Sequence, residues 1–377
     1  MKKKLVFISN MAAPYQVKFC YSLQEHYDTE FWFYVRRENN RPKWWEIPLG
    51  DKCKVLKYSG IYPKVGYYSF GVFTELLRFK PDIIMLGGFM KWHWLILIFA
   101  KFFNKKVVIM SEPLRNVRSD RDQSQSLMNK ENSSRTIKWI NRLFSKADLY
   151  LGMGTIAEEQ FIQELKFDKK KVTCAMYPHD IDKYFEHPIR VSRENKDYTL
   201  LFANRLIDRY QPLFALEVFR LLKEKYPNIR MVMNNDGPLK SECIKYIENN
   251  YLQDVEFLKE IDSWNNMHKI YKNADILILP ATYSNGNGSI IEAAASGMGI
   301  VVSNQINHLV YYAQHERNSF ICNLELESFV EAISNYIDKP EIFSEHGKSG
   351  RELVGFLRNE VVAKQYVEIF ERHGLLG

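Results

Sequence analysis

Short runs of β-branched and aromatic residues alternate with segments of helical period along the whole chain. In the first half, Leu5–Ser9, Phe31–Arg36, Lys54–Tyr58, Ile83–Leu86, Val107–Met110, Leu149–Gly152 and Val172–Met176 read as strands. Between them, Tyr15–His26, Gly71–Arg78, Trp92–Phe103, Ser133–Ser145 and Thr155–Lys166 carry the period of helices. The strands are apolar throughout rather than alternating, which predicts a parallel sheet covered on both faces.

Residues 178–197 break this rhythm with charges, two prolines and no period, as a linker does. The alternation then restarts. Strands are expected at Leu200–Ala203, Ile229–Met233, Val255–Leu258, Ile276–Leu279 and Ile300–Ser303, and helices at Pro212–Lys225, Leu239–Asn249, Ser263–Lys272 and Ser289–Ser296. Phe320–Cys322, Leu326–Ile337 and an amphipathic Glu360–Glu371 follow. The expected domains are 1–185 and 186–355, with a closing helix in 356–377 that packs back toward the first. Two α/β halves of this kind predict a cleft between them. The loops after Ala203, Met233, Leu258 and Leu279 share one edge of the second sheet, the edge where such sheets bind ligands.

The length, 377 residues, exceeds one ordinary core and agrees with two domains. With 46% hydrophobic and 26% charged residues the composition is that of a globular protein, which excludes fibrous and disordered classes. Cys20, Cys53, Cys174, Cys243 and Cys322 are scattered without a CxxC pair, the usage of reduced thiols in a cytoplasm. The apolar run after Lys2-Lys3-Lys4 is too short for a signal peptide and reads as a first buried strand. Trp92–Phe103 is too short to span a bilayer and is interrupted by His93 and Lys101, so it is expected to pack on the sheet.

Charge changes the picture in one place. The net charge is +7, and residues 101–150 hold 11 Lys or Arg against 5 Asp or Glu. Arg115, Arg118 and Arg121 open this basic segment, which runs to Lys146. It suits anionic lipid headgroups or a diphosphate, or is a solvated helix face. No nucleic-acid-binding motif accompanies it, and nucleic acid is not an expected partner.

The candidate chemistry lies in the second half. Asp275–Leu279 ends at Pro280, and Ser284, Asn285, Gly286, Asn287, Gly288, Ser289 and Ile290 lead into an Ala-rich helix that carries Glu292 in its first turns. Glycines there let backbone approach a ligand, and the helix N-terminus presents N–H groups to a phosphate. Glu292 is suited to sugar hydroxyls. Asn204, Arg205 and Arg209 follow the first strand of this half, where arginines can clamp a diphosphate. Asp236 and Gly237 form a tight turn after the second strand, and Leu258 ends the third.

In order and spacing these pieces resemble family 4 retaining glycosyltransferases of GT-B fold, over about 200–340. The residues that carry the resemblance are Arg205-Leu206, Asp236-Gly237-Pro238-Leu239, Val255 to Leu258, Ala274-Asp275 to Pro280, and Glu292-Ala293-Ala294-Ala295-Ser296-Gly297. Asn318 to Ile321 is similar to a further family segment, and Tyr177-Pro178 to Asp182 matches loosely near the domain junction. The resemblance implies an α/β GT-B protein, two Rossmann-like parallel-sheet domains facing a central cleft. It implies transfer of a sugar from a nucleotide sugar to a glycan or polyprenyl-diphosphate-linked acceptor, with retention and without a metal or resident cofactor. Arg205 would hold the diphosphate, Glu292 the ribose, Leu258 would lie beside the base, and backbone around Gly288–Ile290 would cap the phosphates. Glu112, in Ser111-Glu112-Pro113, would act on the acceptor side, and Arg115, Arg118 and Arg121 would face acceptor or membrane. A DxD-like Asp180-Ile181-Asp182 sits in the junction rather than in a metal-binding loop.

Four places depart from the family pattern, one of them Ser111-Glu112-Pro113, which stands where the family commonly has a His. Ser284 stands where the family has its first Glu, Tyr210 where it has a Lys, and Asn10 to Gln16 replaces an N-terminal Gly-Gly loop. The function the resemblance implies is nonetheless a sugar transferase of cell-surface polysaccharide synthesis, cytoplasmic or peripheral on the inner membrane face. The alternatives are a catalytically silent GT-B protein that binds a partner transferase or glycan, and a GT-B nucleotide-sugar epimerase.

Overall fold

The apolar runs pair side by side and in parallel, as their uninterrupted hydrophobicity requires. The computed structural model of the chain describes residues 2–38, 41, 45–62, 66–115, 133–191, 197–259, 263–285, 287–339 and 341–375. The described residues divide into two units: those up to Arg115 and 133–180 together with the return from Leu357, and Ile181–Phe356.

In the first unit the elements are β1 (Lys4–Met11), α1 (Pro14–Leu23), β2 (Asp28–Val35), β3 (Cys53–Val55), β4 (Ser59–Tyr62), β5 (Gly66–Ser69), α2 (Val72–Phe79), β6 (Ile83–Gly87), α3 (His93–Phe102), β7 (Lys106–Ser111), α4 (Ser133–Phe144), β8 (Leu149–Met153), α5 (Thr155–Gln163) and β9 (Val172–Ala175). The parallel sheet runs β3-β2-β1-β6-β7-β8-β9, with β4 and β5 as a separate antiparallel hairpin. The run expected as one strand over Lys54–Tyr58 is thus divided. It pairs with β2 only to Val55, and then turns at Tyr58, which has a positive φ of 52°.

One sheet face carries Val6, Ile8, Trp32, Ile84 and Ile109 against α2, α3, α4 and α5. On the other face, Phe31 meets Phe7 and Phe19 edge to face at 4.9 and 6.2 Å. Phe19, on α1, meets Tyr366 at 5.2 Å.

The second unit contains α6 (Asp182–Phe185), β10 (Thr199–Phe202), α7 (Pro212–Lys225), β11 (Arg230–Met233), α8 (Lys240–Asn249), β12 (Val255–Phe257), α9 (His268–Lys272), β13 (Ile276–Leu279), α10 (Gly288–Ala295), β14 (Gly299–Ser303), β15 (Phe320–Cys322), α11 (Leu326–Asp338) and α12 (Glu341–Val354). Its parallel sheet runs β12-β11-β10-β13-β14-β15. Tyr366 belongs to α13 (Asn359–Arg372), which returns to pack on α1 in the first unit. The helix expected over Ser263–Lys272 is a 3-10 turn at Trp264–Asn266 followed by the short α9. α12 has no counterpart in the sequence reading; two glycines, Gly347 and Gly350, dilute its helical signal.

The stretch 178–197 is not a free linker. Arg190 is only 6% exposed, and its guanidinium donates to the carbonyls of Ala274 (2.9 Å), Ser296 (3.0 Å), Pro188 (2.7 Å) and Tyr271. Tyr271 lies in the last turn of α9, and Ser296 ends α10, so one buried cation serves the negative ends of two helices. Arg351 adds a bond from Nε to Ala295 O at 3.0 Å and a second to His187 O. A charge inside a protein is tolerated only when it is hydrogen-bonded in this way.

Two outcomes test this account. Arg190→Leu orphans several carbonyls and is expected to lower the unfolding free energy by about 3 kcal/mol. Arg190→Lys, which lacks the planar fork, is expected to recover only part of that in urea titrations. His93 supplies a pH dependence. It is fully buried, its Nδ1 bonds Gly88 O at 2.9 Å, and its Nε2 has no partner. Burial pushes its pKa down from 6.5 to about 4. The folded state favours the neutral ring, so this stability is complete above pH 6.5 and is lost as pH falls toward 4. At pH 4.5 the loss should reach about 2.5 kcal/mol, and His93→Phe should abolish that part of the pH slope.

Candidate functional site

β10, β11, β12 and β13 end at the same edge of the second sheet, and the loops that leave them are tied to one another. After β13, Pro280 ends the ladder because it has no N–H to donate. Asn287 takes the left-handed region (φ 37°), which asparagine tolerates better than other side chains. Its Nδ2 donates to Asn307 O at 2.9 Å and to the Tyr312 hydroxyl. Asn307 returns bonds from Nδ2 to Asn285 Oδ1 (2.8 Å) and from its N–H to Ser284 O (3.0 Å). The described residues of the loop are therefore tied together before α10 begins.

At the start of α10, the N–H groups of Ile290 and Ile291 already donate to Asn287 O at 3.0 and 3.3 Å, and the Ile290 side chain is in the core. Of the three N–H groups in the cradle expected over Gly288–Ile290, that of Ile290 is therefore held within the helix. The first helical turn consumes the Ile290 N–H, which leaves Gly288 and Ser289 as its first positions. A methyl group on Gly288 would meet no atom within 4 Å, so the space beside it is open. Ser284 is 3% exposed; its side chain is inside the loop rather than on the rim.

The β10 loop forms the next wall. Ser289 Oγ donates to Asn204 Oδ1 at 2.8 Å, joining this loop to the start of α10. Arg205 Nε donates to Asp236 Oδ2 at 2.7 Å, joining it to the β11 loop. Both partners are half-exposed, and such a pair contributes at most about 1 kcal/mol to stability. Its consequence is orientation: Asp236 fixes the Nε edge of the guanidinium. Gly237 sits at φ 146°, and a Cβ there would lie 2.3 Å from Leu206 O. Only glycine fits, because Leu206 N–H bonds Asp236 O (2.8 Å) and Leu239 N–H bonds Leu206 O (3.0 Å) across the same gap.

Arg209 is held differently. Its guanidinium bonds the Tyr210 hydroxyl at 2.7 Å and lies 4.6 Å from the Tyr210 ring and 5.9 Å from that of Tyr283. Its carbonyl accepts from Thr282 N–H at 2.8 Å, tying the β10 and β13 loops. Leu258 is half-buried, with its N–H on Met233 O at 2.8 Å.

Glu292, half-buried one turn into α10, accepts a hydrogen bond from Tyr271. Burial first, and then the Glu292 charge, raise the Tyr271 pKa well above the ordinary phenol value. The phenol therefore stays protonated and acts as a donor to the carboxylate. Tyr271, Asn307 and Tyr312 escape a reading by motif, since each acts across a long sequence separation.

In the first unit, Glu112 is exposed after β7. It lies near the phenols of Tyr15 and Tyr177, whose pKa values are raised by burial and then by its charge. Arg115 Nη2 bonds Glu164 Oε1 at 3.0 Å, so its charge is already partnered within that unit. Asp180 pairs with Lys18. Gly286, Arg118 and Arg121 lie outside the described residues.

Residues 185–353 match the family model of glycosyl transferases group 1. A curated relative, the UDP-Gal:alpha-D-GlcNAc-diphosphoundecaprenol alpha-1,3-galactosyltransferase of Escherichia coli, is 26% identical over 217 residues, 53% of this chain and 54% of the relative. The chain thus spans about half the length of that relative, and between 25% and 63% of the other curated glycosyltransferases it matches. Among solved structures, Anabaena Alr3699/HepE in complex with UDP and glucose superposes with a TM-score of 0.69 at 13% identity, over 98% of this chain and 100% of that one. A glycosyltransferase from Rickettsia africae ESF-5 superposes with a TM-score of 0.72 at 12% identity over the whole of both chains. The fold of the chain is GT-B.

Proposed function

We propose that the protein is a glycosyltransferase that moves a sugar from a nucleoside diphosphate sugar to a glycan or a polyprenyl-diphosphate-linked saccharide, with retention of configuration. The observation that carries this reading is the joining of three strand-end loops around the start of α10. Ser289–Asn204 and Arg205–Asp236 hold those loops in register, and Glu292 lies one turn inside. In this reading the guanidinium of Arg205 and the first N–H groups of α10 neutralise the departing diphosphate, and Glu292 accepts from the ribose hydroxyls. Stabilisation of the leaving group comes from fixed donors, so the reading needs neither a metal nor a resident cofactor. Glu112 serves the acceptor side.

The relatives guide the choice of substrates. The Anabaena structure holds UDP, and the E. coli relative is named for UDP-Gal and a diphosphoundecaprenol acceptor, which makes UDP-sugars and lipid-linked saccharides the first classes to test. The same acceptor class supports a role in cell-surface polysaccharide synthesis at the inner membrane face. A second reading, a silent GT-B protein that binds a glycan or partner transferase, draws support from the burial of Ser284 and from Tyr210 holding Arg209.

Radiolabelled transfer from a panel of UDP-sugars to polyprenyl-diphosphate saccharides separates these readings. Arg205→Ala and Glu292→Ala are each expected to lower kcat/KM at least about a hundredfold. Full activity in both variants would overturn the site. Tyr271→Phe leaves Glu292 in place but unheld, and should raise the donor KM about fivefold with little change in kcat. The anomeric configuration of the product, read by NMR, tests retention. Calorimetry that detects no UDP, GDP or sugar-nucleotide binding would favour the silent protein.

A further inference from the structure

α3 is apolar on both its buried and its outer side. Its inner side, His93, Ile96, Leu97 and Ala100, is buried on the sheet. Its outer side is also apolar: Ile98 is 57% exposed and Phe102 82% exposed, with Leu95 half-buried on the same stripe. These positions are three and four residues apart, so they line one face of the helix. In water, such a face is ordinarily polar.

Neighbouring rings extend the stripe into a patch. Phe102 lies 5.0 Å from Phe103, Phe103 lies 4.5 Å from Phe99, and Phe99 lies 5.6 Å from Phe73 on α2. A contiguous exposed apolar area of this kind marks an interaction surface. Among the described residues no helix is long and apolar enough to cross a membrane.

α4 lies against α3 and supplies the charge. Its exposed charged positions are Arg135, Lys138 and Arg142, with Lys146 just beyond its end, and no acidic residue occurs from Ser133 to Ala147. An apolar stripe beside a cationic stripe is complementary to one partner, a lipid surface with anionic headgroups. A second copy of the chain would bring a like-charged face against this one.

We propose that α3 and α4 form a docking face for an anionic bilayer leaflet. Ile98, Phe102 and Phe103 enter the interfacial region, and the α4 cations meet lipid phosphates. This deepens, and rests on, the membrane-side part of the functional reading above. Its test uses no sugar donor, so its failure and the failure of the transferase reading are separate results.

The full-length protein is mixed with vesicles of phosphatidylcholine and phosphatidylglycerol, or of phosphatidylcholine alone, and bound protein is measured by flotation. Binding is expected to mixed vesicles, and to fall steeply with salt. The pair Ile98→Ser and Phe102→Ser is expected to reduce it about tenfold or more, with the thermal unfolding midpoint unchanged because both side chains face solvent. Phe102→Trp should retain it. Arg135→Glu with Arg142→Glu should remove the preference for phosphatidylglycerol. Equal, weak association of the native protein with both vesicle types would overturn the proposal. So would undiminished binding in the serine pair, or a concentration-dependent dimer that the serine pair dissociates while vesicles stay unbound.

Discussion

The guanidinium groups of Arg190 and Arg351 close the C-terminal end of α10, and the geometry of the candidate site depends on that closure. A helix end buried without partners leaves carbonyls that each cost about 1–3 kcal/mol. Here Ala295 and Ser296 are bonded by the two cations, and Tyr271 and Ala274, at the end of α9, share Arg190. The negative end of α10 is thus neutralised inside the protein while its positive end opens among the strand-end loops. The same Arg190 contact with Tyr271 O places the Tyr271 ring, whose hydroxyl holds Glu292. Fold stability and the orientation of the candidate anchor therefore share one set of atoms.

The rim shows a second division of labour. Family resemblance leads to a carboxylate at position 284, but Ser284 is buried and the loop is built from amides and phenols instead. Asn285, Asn287, Asn307, Tyr283 and Tyr312 exchange hydrogen bonds that fix the approach to α10 without adding charge. A carboxylate at that point would need solvent or a cation, and the neighbouring Arg209 is committed to Tyr210 and the Tyr283 ring. Tyr210 and Tyr283, the residue before Ser284, thus share the Arg209 guanidinium.

Much of this architecture is legible in the chain because local signals and burial agree. Pro212–Lys225 is bounded as expected, since Pro212 suits the first helical position and Pro227 pushes Tyr226 out of the helical region. The buried strands β6, β7, β10 and β13 are short apolar runs between turn residues, and Arg205, Asp236 and Glu292 stand in strand-end loops or just beyond. The misreadings share a cause. Arg190 sits in a stretch that looks like a linker because three of its four partners are carbonyls more than eighty residues away, and carbonyls leave no trace in side-chain composition. Tyr271 reads as one more core aromatic until its hydroxyl is seen beside Glu292. Trp92–Phe103 reads correctly as a helix on a sheet, yet periodicity cannot reveal an outer face that is apolar as well.

The return of α13 to the first unit has a consequence for how the protein is made. Val362, Ala363, Tyr366 and Phe370 bury their side chains in that unit, with Tyr366 against Phe19 of α1. At about 1.5–3 kcal/mol for each large side chain, this is a sizeable fraction of the stability of an ordinary domain. During synthesis the N-terminal unit leaves the ribosome first, but its α1 side stays uncovered until residues near 370 have emerged. The described residues of the second unit, from Ile181 to Phe356, have all emerged before then. The half translated first is therefore the half completed last, and its open aromatic face is the part of the nascent chain that most needs protection from aggregation.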